Sequence, residues 1–318
     1  MRIQVPVDQA RNGVDALLDR ARRLAFRDED LADLRAASAV WLAERQHRDE
    51  LAERAERVRA GIGELTVSGD DPWAGLPEGP DNGLLPLLAL LTTADDVVAY
   101  QAGRGVAEDA AWRNLSDLGQ QVWVHRLTYG RFGLHTHGWL RIAWAGGFAW
   151  LGRLQFNLQH LPHTGEWVLS THIPRRSSDD NGPRSGALSS ASVDASFVRA
   201  AAYFAEHFPD VATTDFWCHS WLLAPELAAA LPGSNIAAFQ QRWTLDDRVD
   251  DGDEDAVFFT FARRPPLDLG ELPRATSLER AVLDRLGAGE HWTLRCGRIS
   301  QASIPPSSIP PASAQEES

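Results

Sequence analysis

TDFWCHSWLL, residues 214–223, is the stretch on which the fold turns. Its short, largely apolar run predicts a buried strand. Side chains alternate along a strand, so Phe216, Cys218, Ser220 and Leu222 face one way and Trp217, His219, Trp221 and Leu223 the other. Cys218 and His219 therefore cannot act as a thiolate and base pair from this strand alone. Two readings stand for each. Cys218 is either a nucleophile served by a base from elsewhere or a small buried apolar residue. His219 is either a general base near neutral pH or a core histidine hydrogen-bonded to backbone.

Upstream, Val193, Phe197, Ala200, Ala201, Phe204 and Phe208 mark an amphipathic helix that Pro209 ends. Before it, residues 148–158 alternate as a half-buried strand with Gly152 at an inward position, and HLPHTG turns the chain into EWVLSTHI (166–173). Downstream, the pattern predicts helices over 225–231 and 235–243, a strand over 256–262, a helix over 278–286 and a strand over 291–298. This order is an α/β layer.

Residues 8–146 read as helical. Val14, Leu17, Leu18, Ala21, Leu24 and Ala25 share one helical face. The Gly-, Pro- and Asp-rich residues 69–83 form a loop. Helices are expected over 84–92, 94–103 and 106–129, with Thr93 and Ser116 as N-caps and Gly130 as a stop; Val122–Val124 also suits a strand. The division is a helical domain over 1–146, a mixed-sheet α+β or α/β domain over 147–299, and a Ser- and Pro-rich disordered tail over 300–318.

A net charge of -13 argues against a nucleic-acid partner, because phosphate backbones need a positive surface. All 31 basic residues are arginine, so lysine chemistry is excluded. Two cysteines, Cys218 and Cys296, give no disulfide framework, and a reduced, cytoplasmic setting is expected. No apolar signal core or membrane span is read from the sequence.

Anions have one candidate place. A loop carrying Arg175, Arg176, Gly182, Arg184 and Gly186 feeds a helix whose N-cap is Ser189, with Ser190 and Ser192 in its first turn. Free backbone N–H groups and the helix dipole favour phosphate there; the alternative is an exposed loop with ordinary capping. His135, His137, His160, His163 and His172 raise a cupin-like metal centre, but the supporting glutamate and second-half spacing are missing. His135 and His137 are read as solvated in a loop, and no metal is expected. The acidic run 246–255 lacks calcium-loop spacing and reads as a solvated hairpin loop.

Seven segments recur in order through the chain: NLSDLG (114–119), WLGRLQF (150–156), THIP (171–174), VDASF (193–197), CHSWLLAPEL (218–227), SNIAAF (234–239) and LPRATSLERAVL (272–283). On them the sequence resembles a bacterial family of acyltransferase domain-containing proteins, with a helical N-acyltransferase N-terminal domain and a GNAT-like C-terminal domain. The resemblance implies transfer of an acyl group from acyl-CoA to a small-molecule or peptide amine. It implies pantetheine in a wedge between strands 166–173 and 214–223, touching Thr171 and Ile173, and phosphates on the loop 175–189 with its Arg175, Arg176, Arg184, Gly186, Ser189 and Ser190. Asn235 echoes the residue that opens the corresponding helix. His219 becomes the base. The family's thiolate-protonating Tyr is absent, and Ser220, Cys218 or water takes its place. The phosphate loop departs from the usual Q/R-x-x-G-x-G/A pattern. Two alternatives remain: a non-catalytic acyl-CoA or partner-binding module, and a Cys218-dependent acyl hydrolase.

Overall fold

A computed structural model describes residues 7–77, 79–177 and 188–304. Seven helices come first among the described residues: α1 (Val7–Arg23), α2 (Asp28–Trp41), α3 (Arg45–Ala60), α4 (Leu84–Gly103), α5 (Glu108–Leu115), α6 (Asp117–Tyr129) and α7 (His137–Trp144). The apolar face of α1 is buried as its spacing predicts, with Val14, Leu17, Leu18, Ala21 and Leu24 in the core. Helix α4 is unbroken where two helices were expected. Thr93 is no cap: its hydroxyl donates to the Ala89 carbonyl at 2.9 Å and is shielded in the bundle. Ser116 also departs, donating to Arg113 and leaving α6 without a side-chain cap. Val122–Val124 lies inside α6, which Gly130 ends. By length and composition alone, the segment Pro80–Gly103 is long and apolar enough to cross a membrane; here most of it is buried as a core helix of the bundle.

The second half holds β1 (Phe148–Leu151), β2 (Leu154–Leu161), β3 (Glu166–His172), α8 (Ser190–His207), β4 (Thr213–Ser220), α9 (Pro225–Ala230), α10 (Asn235–Gln240), β5 (Thr244–Asp251), α11 (Asp253–Phe261), α12 (Ser277–Gly287) and β6 (Thr293–Ser300). The strand expected over 148–158 is a hairpin, because Gly152 adopts φ +76° and lets Leu151 pair with Leu154. The sheet order is β1-β2-β3-β4-β6-β5. Only the β3–β4 pair is parallel among these.

Two assignments near the C-terminus are corrected. The acidic run expected to be a loop is mostly β5, an edge strand whose charged side chains face water and protect the open edge. The strand expected over 256–262 is α11, since Asp253, Glu254 and Asp255 occupy its first turn, where carboxylates complement the dipole. Strand β6 runs to Ser300, one residue past the expected domain end.

The helical half meets the sheet through a buried polar joint. Asn114 donates to Gln101 Oε1 at 3.1 Å and Tyr203 Oη at 3.0 Å, and accepts from the Trp150 N–H at 3.0 Å. Asp117 accepts four hydrogen bonds, from Gln120, Gln121, Trp139 and Gln155, and is itself fully buried. Gly119 completes the motif, because a Cβ there would lie 2.2 Å from the Leu24 carbonyl oxygen. NLSDLG is thus the seam that fixes α5 and α6 against β1 and β2.

Candidate active site

The parallel strands β3 and β4 stay paired only as far as Ser170 and Trp217. Beyond that point Thr171 and His172 pair with β2, while Cys218, His219 and Ser220 pair with β6. The two strands part, and a cavity of about 740 Å³ opens between their C-terminal ends. Helices α6 and α7 of the first half close one side, and α11 and the start of α12 close another.

The expected alternation holds for the two residues at the centre of the question. Cys218 is wholly buried in the sheet core, and burial pushes its thiol well above the ordinary range. It carries neither the exposure nor the thiolate that a nucleophile needs. His219 faces the cleft from the opposite side. Its Nε2 lies 3.0 Å from Asp250 Oδ2 on β5. A carboxylate only accepts, so Nε2 carries the proton and Nδ1 is the basic nitrogen. Arg248 holds Asp250 below the usual carboxylate range through a 2.6 Å hydrogen bond, with His219 adding to the effect. The sequence offered no sign of Asp250, because the partner sits 31 residues away in a run read as loop.

Ser220 also reaches the cleft, although alternation places it on the Cys218 face. The strand ends there: Ser220 Oγ accepts from the Leu222 N–H at 3.1 Å and caps a 3₁₀ turn over Trp221–Leu223.

The residues expected to meet the co-substrate divide. Thr171 and Ile173 line the cleft, and Thr171 Oγ1 is buried with no hydrogen-bond partner among the described residues. Arg175 lines it as well, with a largely buried guanidinium that donates to the Phe258 carbonyl at 3.0 Å; burial lowers its pKa. Asn235 lines it at the start of α10. Arg176 turns away, stacking 4.6 Å from the Trp123 ring centre, while its backbone N–H donates to Gln120. Ser189 caps α8 by accepting from the Ser192 N–H at 3.3 Å, and Ser190 is exposed beside it; neither is in the cleft wall. Arg184 and Gly186 lie outside the described residues.

Residues that pattern reading missed complete the walls. Arg153, in the β1–β2 turn, is buried, donates to the Pro174 carbonyl at 2.8 Å, and has its pKa lowered to about 10 by desolvation. Arg264 packs 4.0 Å over the Phe258 ring and also lines the cleft. Arg153, Arg175 and Arg264 thus all line the cleft. His172 Nε2 donates to Asn157 Oδ1 at 2.6 Å, and burial pushes it down to about 3, so it is neutral and a poor base.

His135 and His137 are not solvated. His135 packs on Phe258 and approaches His125 to 3.2 Å between Nδ1 atoms; His137 stacks edge-on with Trp73. Among the described residues, no cluster of three or more metal-ligating side chains forms.

Comparison with known proteins agrees with this geometry. Residues 15–146 match the model of an N-acyltransferase N-terminal domain, and residues 148–299 match that of a GNAT-like C-terminal domain. Among solved structures, an acyltransferase in complex with decanoyl-CoA and teicoplanin is 32% identical over 90% of this chain and 87% of that one, with a TM-score of 0.76. An acyltransferase mutant in complex with octanoyl-CoA is 31% identical with the same coverage and TM-score. A further complex, with CoA and 10C-teicoplanin, is 31% identical with a TM-score of 0.75 and the same coverage. None of the curated proteins matches the sequence.

Proposed function

This chain belongs to the family of acyltransferases that join an N-acyltransferase N-terminal domain to a GNAT-like C-terminal domain, and we propose that it acylates an amine in the cleft between β3 and β4 with His219 as the base. It is an acyl-CoA-dependent acyltransferase. The observation that carries the site assignment is the divergence of β3 and β4, with an unpaired Thr171 hydroxyl on one wall and the His219–Asp250 pair on the other.

In this reading the pantetheine arm runs between the parted strands, where unpaired strand edges and Thr171 Oγ1 meet its amides. The diphosphate lies toward Arg175, Arg153 and Arg264. His219 Nδ1 takes the amine proton as the nitrogen attacks the thioester carbonyl, the C–N bond forms, and the C–S bond breaks. Asp250 stabilises the imidazolium that results. The departing sulfur collects a proton from Ser220 Oγ–H or from water. Cys218 has no part, since its thiol is sealed in the core.

The relatives solved with teicoplanin and 10C-teicoplanin support a glycopeptide amine as the acceptor class. The test mixes purified protein with decanoyl-CoA and teicoplanin-type glycopeptides and follows free thiol and product mass. Thiol release with a mass gain of one decanoyl group supports the reading. Decanoyl-CoA binding with no product from glycopeptide amines would remove that acceptor class.

A further inference from the structure

Six residues, Asp250–Asp255, supply five carboxylates next to the cleft, and most are already engaged. Asp250 serves His219 and Arg248. Asp251 accepts from the Asp253 N–H, Asp253 accepts from the Trp292 N–H and meets His291, and Glu254 pairs with Arg264 at 3.7 Å. Asp255 differs. It is half-buried, it lines the cleft with His219, and it makes no hydrogen bond or ion pair within 4 Å among the described residues. The cleft's other carboxylate, Glu279, is held in the capping box of α12. Burial raises the Asp255 carboxyl, while Arg264 and His219 act on it through space to draw it back.

A carboxylate placed so is short of a counter-charge, and an amine acceptor brings one. At neutral pH a primary amine arrives as an ammonium ion, and stripping its water inside a cleft is costly unless an anion receives it. An alcohol brings no charge and needs no such partner. We propose that Asp255 receives the acceptor's ammonium beside His219 and so makes the cleft select amines over alcohols. The inference rests on the amine reading above. The ammonium gives its first proton to water, the freed nitrogen attacks the thioester carbonyl while its second proton passes to His219 Nδ1, the departing sulfur takes a proton from Ser220 or water as above, and Asp255 remains a carboxylate throughout. Asp255 is thus a specificity-determining residue, distinct from the base.

The test measures decanoyl transfer by wild type, Asp255→Asn and Asp255→Glu to teicoplanin and benzylamine, with benzyl alcohol as the uncharged control. Loss of a charge-assisted contact predicts that Asp255→Asn raises KM for the amines about tenfold or more while kcat stays close to wild type. Asp255→Glu should recover most of the loss. Decanoyl-CoA affinity, the thermal midpoint and any transfer to benzyl alcohol should be unchanged. An unchanged amine KM in Asp255→Asn, or an equal loss for amine and alcohol, overturns the role of Asp255 and leaves the acyltransferase reading intact. Wild-type protein that binds decanoyl-CoA yet acylates neither amine overturns the amine reading, and the role of Asp255 falls with it. If Asp255→Asn does not fold, a soluble Asp255→Glu with wild-type selectivity supports the proposal, and one with no amine preference overturns it.

Discussion

The joint at Asn114 and Asp117 and the wedge between β3 and β4 treat buried polar groups in opposite ways. At the joint, Asn114 and Asp117 both find protein partners, and two halves of the chain are fixed by them. At the wedge, two strands stop pairing, and Thr171 Oγ1 is left without a hydrogen-bond partner among the described residues. A fold satisfies its polar groups internally where it needs rigidity. It leaves them open where a ligand is to supply the partner.

Substitutions should separate these two regions. The largest effect is expected at the wedge: His219→Ala should lower kcat by about 10²- to 10⁴-fold, the span of general-base catalysis, with decanoyl-CoA binding and the thermal midpoint nearly unchanged. Next, at the joint, Asp117→Ala strands four donors in a buried setting and should cost about 3 kcal/mol or more of stability, read by urea denaturation. Its loss of activity should follow its loss of folded protein. Thr171→Val removes an unpaired buried hydroxyl at nearly constant shape, so stability should hold or rise, while decanoyl-CoA binding should weaken about fivefold by calorimetry. Equal stability losses at Thr171 and Asp117 would erase the contrast.

Acid provides a subtler probe beside the wedge. His125 and His135 are each pushed down to about 4, mainly by burial, from an ordinary 6.5. Their folded-state values are depressed, so both are neutral in the native protein above that range. The unfolded chain binds more protons between pH 6.5 and about 4, so their contribution to stability falls as pH drops through that window, and His172, pushed down to about 3, extends the decline. Thermal midpoints at pH 7 and pH 5 should show the decline, and His135→Phe should flatten it. The smallest effect is expected at Cys218: Cys218→Ala should leave kcat unchanged and cost about 1 kcal/mol in packing.

Much of the fold was readable because its signals are local. The α1 face, the α8 helix with its Ser189 cap, and the alternation that separates Cys218 from His219 all follow from periods of 3.6 and 2. Errors arose where tertiary placement overrides local pattern. β5 looks like a loop because an edge strand is polar on nearly every position, and α11 looks like a strand because its aromatic run is read without the acids that start the helix. The β1–β2 hairpin was hidden because Gly152 was read as one inward position of a single strand. In the site, His219, Thr171, Ile173, Arg175 and Asn235 were legible and do line the cleft. Asp250, Arg153, Arg264 and Asp255 were not, since each is brought to His219 or to the cleft by an element whose position depends on the finished sheet. Arg176, Ser189 and Ser190, read into the phosphate loop, do not line the cleft.

The central claim is that the parted ends of β3 and β4 receive the acyl-CoA. Hydrogen exchange with and without decanoyl-CoA tests it most directly. Saturating decanoyl-CoA should protect backbone amides of residues 171–173 and 219–222, with little change at the joint around residues 114–117. Protection confined to other segments, with the β3 and β4 ends exchanging as fast as in the free protein, would contradict it.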